Sequence, residues 1–303
     1  MNTAPIILFV YNRLWHTRQV LVALQNNELA VESNLFIYSD GAKSHESIES
    51  VREVREYCRA VTGFNSVTII ERDKNLGLAQ SIISGISDVL RDYERVIILE
   101  DDLVTSPYFL RFMNDALNYY ENEDRVISVH GYMYPVHGEL PETFFIRDTG
   151  CWGWATWRRG WRLFNPDGEW LLKEIYRRRI SYVFDMDGSF GFTKMLNQHV
   201  LGLIDTWDIR WQASAFLEQK LTLFPGISLV NNIGHDNSGV HSTGTNVFDV
   251  KLADQPVKVT FIPVEENLTV RKQLRDYFFS LHKLRFVRMA HRVIAALRSI
   301  VRL

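Results

Sequence analysis

Cysteine is scarce in this chain of 303 residues, which has only Cys58 and Cys151. Their wide separation fits neither a disulfide framework nor a paired zinc motif, so both read as buried thiols in a reducing compartment. No run approaches the roughly 18 consecutive apolar residues of a spanning helix. The first apolar run, Ile6 to Val10, has no basic residue before it and is too short for the core of a secretion signal, so it reads as a first β-strand. Internal repeats and low-complexity linkers are absent as well. With 46% hydrophobic and 23% charged residues, the chain can bury a sizeable core as one large domain or two closely joined ones. A soluble or peripheral protein is expected.

Charge of one sign is missing where a nucleic-acid-binding body would need it. Nine Lys or Arg and a single acid, Asp276, fall between Asn267 and Leu303, so that tail carries +8, while residues 1–266 carry −10 from 25 basic and 35 acidic side chains. An acidic body with a basic appendage excludes a uniformly basic surface. From Leu274 to Leu303 apolar residues recur at helical spacing (Phe278, Leu281, Leu284, Val287, Ile294, Leu297, Val301), with Arg and Lys crowded between them. Such a basic amphipathic helix suits the surface of an anionic bilayer. Packing on the protein's own acidic body, or an oligomer contact, is the alternative.

What is present is a regular alternation. Short apolar runs at Ile6–Val10, Leu35–Tyr38, Val67–Ile70 and Val96–Leu99 are separated by helical patterns at 17–29, 46–61 and 78–90. That spacing predicts βα units, a mostly parallel sheet and an α/β, Rossmann-like layer. A helix from Pro107 to about Tyr120 and a strand over Arg125–Val129 follow, and a soft boundary falls near residue 130. Residues 1–130 read as a nucleotide-binding half, 131–265 as an acceptor-side half of the same domain, and 266–303 as the tail.

Ligands of such sheets bind beyond the carboxyl ends of the strands. There the sequence places Tyr11-Asn12-Arg13, Ser39-Asp40-Gly41 and Glu100-Asp101-Asp102. An isolated strand-end Asp is commonly a helix cap. Three acids in a row after a buried strand imply a positive partner. Continued extended backbone would set Glu100 and Asp102 on one face and Asp101 on the other. Hard oxygen ligands suit Mg or Mn, ions that share their shell with substrate phosphates. A cation bridging two phosphates stabilises a leaving diphosphate. The pattern alone is equally compatible with nucleotidyl transfer, although that reading calls for a glycine-rich phosphate loop after the first strand, and "YNRLWHT" has no such glycines.

The run "VIILEDDLVTSPYFLRFM" resembles the metal-binding segment of the GT-A glycosyltransferases, in particular the N-acetylglucosaminyltransferase I-like group and family 2-like bacterial enzymes. "ILFVYNR", "LFIYSDG", "NLGLAQSI", "GCWGWATW", "WDIRW" and "FPGISLVNNIGHDNSGVH" follow that group's order over roughly residues 5–245. The resemblance implies a GT-A fold and a metal-dependent, inverting transfer from a nucleotide sugar, most naturally a UDP-sugar. The acceptor would be a saccharide or lipid-linked saccharide in surface polysaccharide synthesis, at the cytoplasmic face of a bacterial membrane. By the same resemblance Asp102 would hold Mn2+ or Mg2+, Glu100 and Asp101 would meet its water shell, the ribose or the donor sugar, and Arg13 and Asp40 would hold the nucleoside. Asn75, Gly77 and Gln80 would line the donor pocket, though Asn75 also suits a helix cap. A surface ion pair is the alternative for Arg13, and a turn before Gly41 for Asp40.

Inverting transfer needs a base opposite the leaving group, and a carboxylate suffices because the proton moves late. Asp208 is that candidate. Ile209 and Arg210 stand where the related enzymes carry a second Asp and a Trp, and Asp205 is the rival base. Four tryptophans, Trp152, Trp154, Trp157 and Trp161, crowd "GCWGWATWRRGW". Indoles stack on sugars and also fill cores. Trp152 and Trp154, with Gly153 giving close backbone approach, are the acceptor candidates, and Trp157 and Trp161 the core ones. The polar segment "NIGHDNSGVHSTGTN" could close over a bound donor and exclude water, with His235 or His241 meeting the diphosphate or the metal. A solvated turn is the alternative. A non-catalytic membrane or carbohydrate-binding protein would need the tryptophans and the tail, but not the acids.

Overall fold

In the computed structural model, which describes residues 3–236 and 245–281, the first hundred residues alternate strand and helix. They form β1 (Ile6–Val10), α1 (Leu14–Gln25), β2 (Asn34–Ser39), α2 (Ile48–Arg59), β3 (Ser66–Glu71), α3 (Leu78–Asp92) and β4 (Arg95–Glu100). Then come β5 (Leu103–Thr105), α4 (Phe109–Tyr119), β6 (Val126–His130), β7 (Thr143–Ile146), β8 (Trp154–Trp157), α5 (Arg158–Trp161) and α6 (Gly168–Arg177). α7 (Ser181–Phe184), α8 (Phe192–Val200), α9 (Asp208–Leu217), β9 (Leu221–Pro225) and β10 (Val230–Asn232) complete the series, followed by a helix over 268–281.

The fold is α/β. Eight strands make one sheet in the order β3-β2-β1-β4-β8-β6-β9-β7. β1 runs parallel to β2 and β4, β2 to β3, and β6 to β9, whereas β8 is antiparallel to both its neighbours and β7 to β9. β8, from the second half of the chain, lies between β4 and β6, so the two halves share one sheet. Strand alternation explains the two layers of core. Ile6, Leu8 and Val10 of β1 face α1, α2 and α4, while Ile7 and Phe9 face α3 and the tryptophan cluster. Both faces are covered, which is why β1 reads as an unbroken apolar run.

The first helix stops at Gln25, short of the expected residue 29. Just past its end, buried Asn27 ties the helix to the neighbouring layer: Nδ2 donates to the Ala23 carbonyl and to Thr105 Oγ1, both at 2.9 Å, and Oδ1 accepts from the Leu110 backbone at 2.9 Å. A small antiparallel ribbon, β5 with β10, sets Asn232 opposite Leu103. It carries the chain after β10 directly past the acids.

The tail differs from expectation over its described part. Val270, Leu274, Tyr277 and Phe278 are buried against Met133, Phe144, Ile146, Met186 and Phe224, with Leu281 packed at their edge. Phe278 and Leu281 therefore face the body rather than a bilayer, and the remaining positions of the proposed apolar stripe lie outside the described residues. Arg271, 5% exposed, donates to Asp187 at 3.0 and 3.1 Å and to Glu266 at 2.9 Å. No helix among the described residues is long and apolar enough to cross a membrane. Removing one partner of a buried ionic cluster leaves the others uncompensated. Arg271→Ala should accordingly cost on the order of 3 kcal/mol in urea unfolding, more than Arg275→Ala, whose partner Asp276 is exposed.

Candidate active site

Parallel β1, β2 and β4 end at one edge, and their loops meet there. Arg13, which precedes α1, reaches across to the loop after β4: Nε donates to Asp101 Oδ2 at 3.4 Å, and Nη2 donates to Asp101 Oδ1 and, at 2.8 Å, to Asp102 Oδ2. The alternating-face expectation fails here. β4 ends at Glu100 and the chain turns at once, which lets both aspartates point at one guanidinium. Arg13 thus sits on the acids.

One guanidinium does not balance the corner. Burial pushes Glu100 well above the usual carboxylate range, with the charges of Asp102, Asp101 and Asp208 adding to it. Asp101 is also raised, burial outweighing the attraction of Arg13. For Arg13 burial works the other way, but Asp101 and Asp102 overcome it and raise the guanidinium further. The Arg13 Nη1 atom is buried without a hydrogen-bond partner. The corner gathers three carboxylates against one guanidinium, with a fourth, Asp208, near enough to act on Glu100.

The donor-loop candidates have structural partners of their own. Asp40 is buried, and its carboxylate accepts from the backbone N–H of Gly41 (3.0 Å), Leu76 (2.9 and 3.1 Å) and Gly77 (3.0 Å). It organises the loop before α3. Asn75 donates to the Gly41 carbonyl at 2.7 Å and is not the cap of α3. Gly77, at φ +77°, takes that position. A Cβ on Gly41 would lie 2.5 Å from the Lys74 carbonyl carbon, so the two loops touch backbone to backbone. Gln80 is exposed on the first turn of α3.

Asp208 opens α9, where a carboxylate is favoured by the helix dipole. Its Oδ1 accepts from Thr206 Oγ1 and from the Ile209 backbone at 2.8 Å, and Oδ2 lies 4.0 Å from Cys151 Sγ. Its charge is felt at Glu100. Asp205, the rival, is exposed. Arg210 is buried beneath the turn, where its Nε donates to the Thr206 carbonyl at 3.1 Å.

The tryptophans divide. Trp154 is fully buried, stacked on Trp207 at 5.4 Å between ring centres and packed against Trp211, so it belongs to the core and not to an acceptor surface. Trp157 and Trp161 are buried too, their Nε1 atoms donating to the Leu117 carbonyl (3.1 Å) and Ser87 Oγ (3.0 Å). Trp152 is partly exposed and meets Tyr132, His235 and Phe248 edge-on at 4.7, 5.3 and 5.6 Å. Gly153, at φ +69°, lets the chain pass Val230, whose Cγ2 a Cβ would meet at 2.6 Å.

His235 stands on the other side of Asp102. Its Nε2 is buried with no hydrogen-bond partner, and the charge of Asp102 raises its pKa against the larger lowering effect of burial. The intervening Gly234 is pressed onto that carboxylate, since a Cβ there would lie 2.2 Å from Asp102 Oδ2. An imidazole and an aspartate are a donor set that Mn2+ accepts. Among the described residues no group of three or more His, Cys, Asp or Glu forms a ready metal cage. His241 and residues 237–244 around it lie outside the described residues.

Sequence reasoning missed Asp148, Cys151 and Gln212. Asp148, 7% exposed, accepts from Gly150 N at 3.1 Å in the turn leading to Trp152. Burial pushes its carboxyl up to about 6, with Asp208 and Glu266 adding and the Gly150 bond and Arg271 opposing. The Asp-x-Gly spacing was its signal. Gln212 had none, because a glutamine inside an apolar helix looks like any surface residue until its partners are known.

No protein-family model matches the chain, and no curated protein matches it. Among solved structures it is similar to TarS of S. aureus, with 14% identity and a TM-score of 0.30 over 46% of this chain and 23% of that one. It is also similar to the mannosyltransferase PcManGT from Pyrobaculum calidifontis, solved in complex with GDP-Man and Mn2+, with 10% identity and a TM-score of 0.36 over 72% of this chain and 69% of that one. Both likenesses are distant, and the functional reading rests on the site's own residues.

Asp148 gives a pH signature. A carboxyl whose pKa is higher folded than unfolded binds its proton more tightly in the native state, so its ionisation lowers stability as pH rises from about 4 through about 6. Asp148→Asn keeps the acceptor for Gly150 and removes that cost. Urea unfolding should show it more stable than wild type by up to about 3 kcal/mol near pH 7.5, with no gain near pH 4. An equal effect at both pH values would mean that the carboxyl is not perturbed by burial.

Proposed function

We propose that the chain is a GT-A-type glycosyltransferase that moves a sugar from a nucleotide donor, a UDP-sugar in the first instance, to a saccharide or lipid-linked saccharide with inversion. The observation that carries this reading is the excess of carboxylates at the parallel edge of the sheet, Glu100, Asp101 and Asp102 with Asp208 acting on them, against the guanidinium of Arg13. Asp102 and His235 would hold a divalent cation, Mn2+ or Mg2+. When bound, that ion supplies Lewis-acid neutralisation of the departing diphosphate.

The chain's own residues then have separate tasks. Arg13, released from Asp102, has donors for a diphosphate oxygen, including the unpartnered Nη1. Asp40 and Asn75 keep the α3 loop in place as the floor of the donor pocket. Trp152 offers a partly exposed indole to a sugar face. Asp208 Oδ2, whose hydrogen-bond neighbour among the described residues is the Cys151 thiol, takes the proton of the acceptor hydroxyl as the new glycosidic bond forms. The basic residues beyond 281 are proposed to bring the site to an anionic membrane bearing the acceptor.

Isothermal calorimetry with UDP tests the metal role. Wild type should bind UDP at least about tenfold more tightly with Mn2+ than with a chelator, and Asp102→Ala should lose that difference; an equal metal dependence in both would refute it. Asp208→Asn should retain donor affinity while turnover drops by about 10²–10⁴-fold. Thermal stabilisation by a panel of UDP- and GDP-sugars with Mn2+ selects the donor for that assay.

A further inference from the structure

The segment that leads from β7 to Trp152 runs along α9 in a matched register. Arg147 meets Phe216, its Nη2 donating to the Phe216 carbonyl at 3.1 Å while the guanidinium lies 4.0 Å over the ring. Two residues on, Thr149 meets Gln212, whose Oε1 accepts from the Thr149 backbone at 2.8 Å and from its hydroxyl at 3.2 Å. Two further on, Cys151 Sγ meets Asp208 Oδ2 at 4.0 Å. Residues 147, 149 and 151 are thus laid against 216, 212 and 208. Four helical residues rise about 6 Å, and the segment meets each such step of α9 with its second residue, turning at Gly150 (φ +55°) before Cys151. The two elements keep step, in opposite directions, up to the carboxylate.

Gln212 is the middle rung and the only one used at both ends of its amide. It is 4% exposed, and its Nε2 returns a hydrogen bond to the Arg147 carbonyl at 3.2 Å. Asp208 Oδ1 is held by Thr206 and Ile209, which fixes the plane of the carboxylate and leaves Oδ2 to the side where segment 147–151 ends. A slip of that segment by one residue would remove Cys151 from Oδ2 and shift Trp152 with it.

We infer that Gln212 is a positioning residue: by locking Thr149 to α9 it fixes the distance between the Trp152 indole and Asp208 Oδ2, the oxygen that accepts the proton. This rests on Asp208 being the base of the proposed transfer. In that step the acceptor oxygen forms its bond to the anomeric carbon, the bond from that carbon to the diphosphate oxygen breaks with the electron pair leaving on the nucleoside diphosphate, and the hydroxyl proton passes to Oδ2. Gln212 touches none of the reacting atoms. It sets how far apart the acceptor platform and the base stand.

The test uses the full chain with Gln212→Leu and the milder Thr149→Val, each in the wild-type and Asp208→Asn backgrounds. Iodoacetamide labelling, mapped by peptide mass spectrometry, reads the register without any substrate. Gln212→Leu should speed modification of Cys151 by about tenfold while Cys58, at 0% exposure, stays unlabelled and reports an intact core. Turnover is then read as nucleoside diphosphate release from the UDP-sugar that gives the largest Mn2+-dependent thermal shift. Gln212→Leu should lower kcat about tenfold or more with KM for the donor within about twofold, and should cost almost nothing further in the Asp208→Asn background. Thr149→Val, which keeps the backbone donor, should show the same pattern at about a third of the size and remains informative if the leucine variant fails to fold. Unchanged Cys151 labelling with wild-type kcat overturns the inference, as does an equal loss of kcat in both backgrounds. Full turnover by Asp208→Asn alone removes the base assignment itself, which is a different failure.

Discussion

The contact on which the site's architecture depends is the guanidinium of Arg13 set against Asp101 and Asp102. Three loops from parallel strands converge at that edge, and two of them bring charges that could not be buried singly. Taking an ionised carboxylate out of water costs several kcal/mol unless it is paired and hydrogen-bonded. Arg13 meets that requirement for two acids at once and so ties the end of β1 to the end of β4. For Glu100, burial and the neighbouring acids push the pKa upward. The geometry of the corner and its electrostatic imbalance therefore have the same origin: more carboxylates were gathered than one cation can satisfy.

Around this corner the chain is fixed by hydrogen bonds that consume side chains a sequence reader would assign to ligand binding. Asp40 holds the α3 loop through two backbone amides, those of Leu76 and Gly77, and Asn75 ties the same loop to Gly41. On the opposite wall, Gln212 and Thr149 bind the Trp152 segment to α9. Both walls are rigid for the same reason: polar groups that burial would penalise are paired inside the protein. Such preorganisation sets binding groups at fixed separations before any ligand arrives, and that matters most for a reaction whose partners must meet in line.

Much of the first half was legible because its signals are local. The strands at Ile6–Val10, Asn34–Ser39, Ser66–Glu71 and Arg95–Glu100 lie within a residue of the apolar runs that announced them; β1 and β4, buried on both faces, carry a continuous apolar signature, while β3 at the sheet edge carries a short one. The second half was harder. β7 and β8 are antiparallel neighbours of strands far away in sequence, and nothing local marks such pairing. Trp154 was assigned to a sugar surface because an indole suits both a core and a carbohydrate, and only its stacking on Trp207, more than fifty residues on, decides between them. The acids were found, but their orientation was not. Extended geometry was carried one residue too far past Glu100, and the turn there is what brings Asp101 and Asp102 to the same partner. Asp148 and Gln212 owe their character to burial against distant segments, a property without a short-range pattern.

The same imbalance bears on how a ligand would enter. A nucleotide sugar brings two negative charges on its diphosphate, and a divalent cation brings two positive ones, so together they add no net charge to a corner already in excess. Their effect would be to rearrange charge. Asp102, with His235 near it, would hold the cation, and Arg13 would then have donors free to meet the diphosphate. Donor and metal would then each prepare the place of the other, because the corner can give up Arg13 only to a ligand that supplies both a replacement for it and a destination. Under this reading the arginine found on the acids is the resting form of the donor site. The apparent mismatch between an arginine bridge and a metal corner disappears once the two are taken as successive occupants of one electrostatic well.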